Sequence, residues 1–193
     1  MRAKRAFSLL EAVLTGTLFF LLLHLLFSIV VPMMRASQKG SELSDLRQMA
    51  ALTLETICAD VEESGAPGLQ LFDNALSVHR VETISADGST VWNRYVHFYV
   101  WGQGRLRRCT FPPVPAGLPA PQQGRPFRLQ PGELSAALSA PGSLLCSDLA
   151  EFSVEGFSPH GLRPPLVFQL RLRRDQQVFS LEQSAVPAVR NLR

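Results

Sequence analysis

Side chains able to do acid–base or metal chemistry are few and scattered in this sequence. The four histidines are His24, His79, His97 and His160. No two of them have the i, i+4 spacing that presents two metal ligands on one helix face, and no Cys-x-x-Cys pair occurs. No serine lies in Gly-x-Ser-x-Gly, and no phosphate-binding glycine loop is present. The sequence therefore predicts no catalytic residue, no metal site, no cofactor and a protein that is not an enzyme.

Two weaker possibilities for a ligand site rest on side-chain type alone. Oxygen ligands suitable for calcium are present at Asp73, Asn74, Asp87 and Asp148, but EF-hand spacing is absent. Aromatic residues gather at Trp92, Tyr95, Phe98, Tyr99 and Trp101. They are either a binding patch or part of the core, and their alternation along a predicted strand favours the core.

Three cysteines, Cys58, Cys109 and Cys146, decide what redox chemistry is open to the chain. A protein exported to an oxidising compartment can form a disulfide, and an odd count leaves one thiol over. The preferred pair is Cys109 with Cys146, because both fall in the predicted globular part while Cys58 falls on a predicted helix. The alternative is that all three thiols are reduced and buried.

One carboxylate, Glu11, stands at the start of a long apolar run. From Ala12 to Met34 there is no Asp, Glu, Lys or Arg. A helix of about 23 residues rises ~35 Å, which is enough to cross the core of a bilayer. An ionised acid within such a helix costs roughly 2–3 kcal/mol at the centre. Glu11 is therefore expected either to meet a positive partner or to stay hydrated near the membrane surface.

The residues before the apolar run set the expected orientation. Arg2, Lys4 and Arg5 are basic and should remain cytoplasmic, which puts the rest of the chain across the membrane. A conventional secretory signal has an apolar core of about 7–15 residues followed by a small-x-small cut site. This run is longer and lacks such a site, so an anchor is favoured, cleaved or uncleaved.

A single long helix is predicted over residues 7–63 to carry these groups. Pro32 interrupts it where the apolar run ends. Beyond Pro32, apolar residues recur at steps of three or four, at Leu43, Leu46, Ala50, Leu54, Ile57 and Val61. The Ser-Gly-Ala-Pro-Gly sequence of residues 64–68 is expected to end the helix.

From residue 69 onward the apolar period changes to two, which predicts strands. They are placed at residues 76–84, 95–101, 105–111, 144–157, 166–173 and 177–185. Residues 112–131 hold half of the chain's 14 prolines and are predicted to be a loop. The fold class is therefore α+β, in which one antiparallel sheet packs its apolar face against the helix stripe.

Length and charge add two limits. With 193 residues, one compact domain and one membrane helix account for the chain. The net charge is only +3 and there is no dense basic block, so no nucleic-acid partner is predicted. The arginines of two short clusters are expected on the solvent faces of strands: Arg105, Arg107, Arg108, Arg171, Arg173 and Arg174.

The N-terminal pattern resembles the class III signal of type IV prepilins and of the pseudopilins of type II secretion. That signal has a short basic leader, a small residue, Phe after the cut and Glu at the fifth mature position. The resemblance implies prepilin-peptidase cleavage between Ala6 and Phe7 and N-methylation of Phe7. It also implies that Glu11 makes the assembly contact with the terminal amine of a neighbouring subunit. The family usually has Gly where this chain has Ala6.

The resemblance also implies a domain plan and a role. Residues 1–6 would be a cytoplasmic leader, 7–35 a transmembrane helix, 36–63 its amphipathic continuation and 64–193 a pilin-like sheet head. The Ala/Leu-rich segment 49–60 and the predicted hairpins are most similar to the J-type minor pseudopilin. The implied role is a minor filament subunit of a type II secretion-like system, placed at the filament tip.

The implied location is the inner membrane, crossed once, with the head periplasmic or extracellular. The implied partners are other minor and major pilins or pseudopilins, the prepilin peptidase and methyltransferase, the inner-membrane assembly platform and membrane lipid. Two alternatives stay open. One is a minor pilin of a type IV pilus used for adhesion, motility or DNA uptake. The other is an exported enzyme or binding domain held by a single membrane anchor.

Overall fold

The computed structural model describes residues 9–112, 118, 125–129, 131–139, 141–158 and 161–188. In chain order its elements are α1 (Leu9–Glu62), β1 (Ser64–Phe72), β2 (Ala75–Ile84), β3 (Thr90–Gly102), β4 (Arg105–Phe111), α2 (Pro131–Ser139), β5 (Gly142–Cys146), β6 (Leu149–Ser158), β7 (Gly161–Arg174) and β8 (Gln177–Ala185). A long apolar helix is thus followed by antiparallel strands, and the predicted α+β class is confirmed.

The helix α1 closely matches the predicted span. It continues through Pro32, where an interruption was predicted. A proline removes one backbone hydrogen bond, but the hydrogen bonds of the turns on both sides keep a long helix continuous. The chain divides into two compact units, the first ending at Ser44 and the second beginning at Asp45. The last turns of α1 therefore belong to the second unit, together with the strands.

Those last turns present the predicted apolar stripe to the core. Leu46, Ala50, Leu54, Ile57 and Val61 are completely buried. They share one hydrophobic cluster with residues of both sheets. Burying each large aliphatic side chain stabilises the fold by roughly 1.5–3 kcal/mol. Tertiary packing therefore stabilises this part of α1.

Five strands form one antiparallel sheet in the order β1-β2-β3-β4-β5. The predicted β3–β4 hairpin is confirmed, with Gly102 paired to Arg105. Its turn residues Gln103 and Gly104 have positive φ angles of 50° and 72°, which match the twist of a tight hairpin. The face of this sheet that carries Leu76, Tyr99 and Leu106 shares a hydrophobic cluster with the stripe of α1.

Residues 64–68 form the start of strand β1, although the sequence predicted only a helix stop there. Gly68 makes this strand possible. A Cβ at this position would lie 2.5 Å from the Trp92 ring and 2.6 Å from the carbonyl oxygen of His79. Only glycine allows the backbone to approach so closely.

The remaining strands form a second, three-stranded sheet in the order β6-β7-β8. The predicted β7–β8 hairpin is confirmed, with Arg174 paired to Gln177 across a turn at Asp175 and Gln176. Leu166, Phe168, Leu170 and Leu172 alternate inward, as the sequence predicted. The prediction of a single sheet is therefore wrong, because the strands form two separate sheets. Residues of both sheets share one hydrophobic cluster with the stripe of α1.

The division between the sheets falls inside the predicted strand 144–157. The chain turns at Ser147 and Asp148, so that β5 joins the first sheet and β6 the second. Asp148 has a φ of 62°, and its carboxylate accepts hydrogen bonds from Arg174 at 3.0 and 2.7 Å. Its carbonyl accepts a third, 2.7 Å, from the amide of Arg173. These bonds fix the corner.

The second face of the five-stranded sheet is also buried, which the sequence did not predict. Its cluster contains Phe98, Val100 and Cys109 from the sheet and Leu118 and Leu129 from the proline-rich region. The short helix α2, which was also missed, contributes Leu138. The described residues of this region therefore cover a sheet face as well as connecting strands.

Candidate functional site in the N-terminal helix

The part of α1 in the first compact unit exposes an apolar surface. Phe20 is 73% exposed, Leu21 68% and Met33 72%. Among the described residues, α1 is the one helix long and apolar enough to cross a membrane, judged by length and composition. In water this surface would be a severe liability, whereas in lipid it is the expected exterior of a spanning helix.

Hydroxyl groups in this stretch are satisfied within the helix. Thr15 donates to the Glu11 carbonyl at 2.7 Å, and Ser28 donates to the Leu25 carbonyl at 2.8 Å. Thr17 donates to the carbonyls of Val13 and Leu14. Such backbone acceptors lower the cost of placing a hydroxyl in hydrocarbon. Glu11 is then the only Asp, Glu, Lys or Arg between Leu9 and Met34.

Glu11 lies in the first turn of α1 and is exposed. Ala6 and Phe7, the predicted cleavage pair and methylation site, lie outside the described residues. The structure thus locates one of the three predicted site residues at the N-terminal end.

A buried ion cluster fixes the other end of α1 in the head. Asp60 accepts a hydrogen bond of 2.7 Å from Arg108 on β4 and one of 2.5 Å from the hydroxyl of Tyr99 on β3. Arg80 on β2 lies 3.5 Å from the same carboxylate and also pairs with Glu63. Burial, followed by the charge of Asp60, raises the pKa of Tyr99. Tyr99 therefore remains a neutral donor to Asp60 at all physiological pH values.

The cluster corrects one prediction about arginine. Arg108 and Arg174 were expected on solvent faces, but each forms an ion pair and is partly buried. Arg107 is also partly buried, whereas Arg105, Arg171 and Arg173 are exposed, as expected. No local sequence signal marks the difference, because Arg108 meets a residue 48 positions away.

The predicted Cys109–Cys146 disulfide does not form in this structure, where all three cysteines are buried and none is bridged to another. In the β4–β5 ladder Cys109 lies opposite Gly142, and Cys146 lies opposite Leu106. Three residues along a strand rise about 10 Å, whereas bridged Cα atoms lie about 4.4–6.8 Å apart. The two thiols also lie in the clusters of opposite sheet faces. Burial raises the pKa of Cys58 and of Cys146 to about 11, which keeps both protonated.

The three histidines in the described residues, His24, His79 and His97, do not form a metal site with other ligands. His79 is completely buried, and burial lowers its pKa. Burial, and after it the charge of Arg108, lowers the pKa of His97 to about 4. His24 lies on the apolar part of α1, and His160 lies outside the described residues. No group of three metal-binding side chains comes together in the described part of the chain.

The aromatic residues considered as a binding patch belong mainly to the core. Trp92, Phe98 and Tyr99 are completely buried, and Trp101 packs edge-on against Phe152 at 5.0 Å. Phe98 and Tyr99 are adjacent on β3 and belong to the clusters of opposite sheet faces, so both are buried because both faces are covered. The core interpretation is confirmed for these residues.

No known protein family, curated protein or solved structure matches this chain. Its function therefore has to be inferred from its own residues: an exposed apolar helix with one carboxylate near its start, continuous with turns that are packed into a sheet head.

Proposed function

We propose that this chain is a minor pilin or pseudopilin that assembles through α1 into an inner-membrane-based filament of a type II secretion-like system. The observation that carries the proposal is the division of α1. From Leu9 to Met34 it exposes apolar side chains in every direction, and Glu11 is the single Asp, Glu, Lys or Arg there. Its last turns bury a stripe and the Asp60 carboxylate in the head. One end suits lipid or packed helices, and the other carries a folded domain.

Glu11 supplies the electrostatic part of the proposed mechanism. Cleavage between Ala6 and Phe7 creates a positive amine four residues before Glu11. In a stack of staggered helices, the carboxylate of one subunit meets the amine of the next. Two charges about 4 Å apart attract by about 4 kcal/mol at an effective dielectric constant near 20. That gain offsets the cost of placing the acid among apolar helices.

Sequence features at the N-terminus are common to pseudopilins and to minor pilins of type IV pili. The exposed apolar helix suits either filament equally. The proposal of a type II secretion-like system rests on the resemblance of segment 49–60 and of the hairpins. An anchored exported enzyme or binding domain differs from both, because it needs no cut before Phe7.

Mass spectrometry of the mature N-terminus tests the proposal. We expect membrane-extracted protein to begin at Phe7 with a methylated amine. Ala6→Leu should block the cut, because the peptidase accepts a small residue there, while Ala3→Leu in the same leader should not. A mature protein that begins at Met1, or one cut beyond residue 25, would overturn the filament proposal and favour an anchored domain.

A further inference from the structure

The hydrogen bonds of His79 define its protonation state. The side chain lies on β2 and is completely buried. Its Nδ1 is 2.9 Å from the backbone amide of Phe127, which can only donate. Its Nε2 is 2.7 Å from the carbonyl oxygen of Asn93, which can only accept. The imidazole is therefore neutral, with its proton on Nε2 and a lone pair on Nδ1.

The partner of Nδ1 belongs to residues 125–129, here called the covering segment. Phe127 stacks on Phe111 with ring centroids 6.0 Å apart, and Leu129 is buried in the second core cluster. The Leu129 amide donates to the side chain of Gln70 at 3.0 Å. The backbone of the covering segment is therefore bound by two side chains, Gln70 of β1 and His79 of β2, through the amides of Leu129 and Phe127. It is not part of a strand ladder at these residues.

A second proton on His79 would break the hydrogen bond to the Phe127 amide, one of the two bonds that hold the covering segment. It would occupy Nδ1 and turn that atom into a donor facing the Phe127 donor, so the hydrogen bond would be lost. It would also place a positive charge in a completely buried position. Burying a charge is costly without a partner, and an unpaired amide adds to the cost.

The charged groups around His79 offer no compensation for a proton. On β2 its neighbour is Arg80, on β3 the nearby ionisable groups are Arg94 and His97, and Arg128 follows Phe127 in the covering segment. His97 interacts electrostatically with His79. The acids of α1 and its end, Asp60 and Glu63, are paired with arginines whose side chains lie on the other sheet face.

We propose that His79 is a proton-operated latch: protonation of Nδ1 in acid releases the covering segment and opens the second face of the five-stranded sheet. The direction of the pH response follows from the geometry. The bound state needs a neutral ring, so the segment is held at neutral pH and is released as the pH falls. The lowered pKa of His79, caused chiefly by burial, agrees with a latch that is closed at neutral pH.

Cys109 provides an internal reporter of opening. The residue is 1% exposed and lies in the same cluster as Leu129 and Phe98. Cys58 and Cys146 lie in the other cluster, under α1. Local release of the covering segment should therefore expose Cys109 alone, whereas global unfolding exposes all three thiols together.

The experiment is site-resolved thiol labelling of the full chain in detergent with 4,4′-dithiodipyridine, whose protonated pyridine keeps it reactive toward thiols in acid. The rates of Cys58 and Cys146 are the reference, because the thiolate fraction of every cysteine falls with the pH. Labelling is measured by peptide mass spectrometry between about pH 7.5 and pH 5. We expect the Cys109 rate to rise about tenfold relative to Cys58 and Cys146 as the pH falls. In His79→Gln the rise should disappear, whereas His97→Gln should retain it. Gln70→Ala should increase Cys109 labelling by a similar factor at every pH.

Three results would overturn the latch. They are a Cys109 rate that does not depend on pH, a parallel rise of all three cysteines, and a rise that persists in His79→Gln. If His79→Gln does not fold, imidazole ¹⁵N shifts of the wild-type protein replace it. They should show the Nε2–H tautomer at neutral pH and a protonation midpoint that coincides with Cys109 exposure. Separate midpoints for the two events would reject the latch.

Discussion

Asp60 on α1 accepts a 2.7 Å hydrogen bond from Arg108 on β4, and this pair joins the helix to the five-stranded sheet. Tyr99 and Arg80 complete the surroundings of the carboxylate. A buried charge is tolerated only when hydrogen bonds and opposite charges replace its water. The cluster therefore specifies which face and which turn of α1 meets the sheet.

Asp60→Asn should destabilise the head although it keeps the shape of the side chain. It removes the negative charge between two arginines and weakens charge-assisted hydrogen bonds. We expect the free energy of unfolding to fall by about 2–3 kcal/mol in urea titrations of the full chain in detergent. The matched control is Glu151→Gln, whose partner Arg171 lies 3.9 Å away in solvent. It should cost less than about 0.5 kcal/mol. Equal losses in both variants would contradict the role assigned to Asp60.

The lowered pKa of His97 predicts that the folded protein loses stability in acid. Its pKa is lowered from 6.5 to about 4 in the folded protein, so the unfolded chain binds a proton first as the pH falls. The contribution is complete above pH 6.5 and is lost progressively toward pH 4. Between about pH 7.5 and pH 5 the loss should be about 2 kcal/mol. His97→Gln should reduce the pH dependence of the unfolding free energy by that amount. An identical slope in the variant would show that other groups cause it.

Gly68→Ala should be destabilising because the space for a Cβ is occupied. The new carbon would lie 2.6 Å from the His79 carbonyl oxygen and would also meet the Trp92 ring. Overpacking of this kind costs about 1–3 kcal/mol. Thermal unfolding followed by tryptophan fluorescence measures the effect. Gly40→Ala is the control, since a Cβ at that position would have no atom within 4 Å, and helix propensity should make it neutral or stabilising by up to about 1 kcal/mol. A neutral Gly68→Ala would show that β1 can move away from Trp92.

Glu11→Ala should separate membrane insertion from filament incorporation. The substitution makes the apolar run more apolar, so insertion should be unchanged. Loss of the attraction to a neighbouring amine should reduce crosslinking into filaments by about tenfold or more. Glu55→Ala removes an exposed acid from a later turn of α1 and serves as the control. Wild-type incorporation of Glu11→Ala would contradict the proposed charge contact.

Periodic patterns in the sequence predicted much of the fold. The stripe from Leu46 to Val61 repeats every three or four residues, and the β7–β8 hairpin repeats every two, so local spacing alone identifies the buried face of each. The corner at Asp148 could not be predicted in this way. It depends on Arg174, 26 residues away, and on a φ of 62° that no pattern of apolar residues encodes.

The candidate sites show the same difference between features set by local sequence and features that depend on residues far apart in the chain. Glu11 is recognised from sequence because a lone acid in an apolar run is conspicuous. His79 has no local signal, because its partners Asn93 and Phe127 are 14 and 48 residues away. Proline content correctly predicts that the described part of residues 112–131 forms no strand. It does not predict the burial of Leu129, because proline content says nothing about what packs beneath a loop.

The β7–β8 turn has a practical consequence for work on this protein. Asp175 and Gln176 are exposed at its tip, and both strands are held by the ladder on either side of them. A fluorophore or epitope inserted at this tip should therefore report on the protein in living cells while leaving the helix and both cores undisturbed.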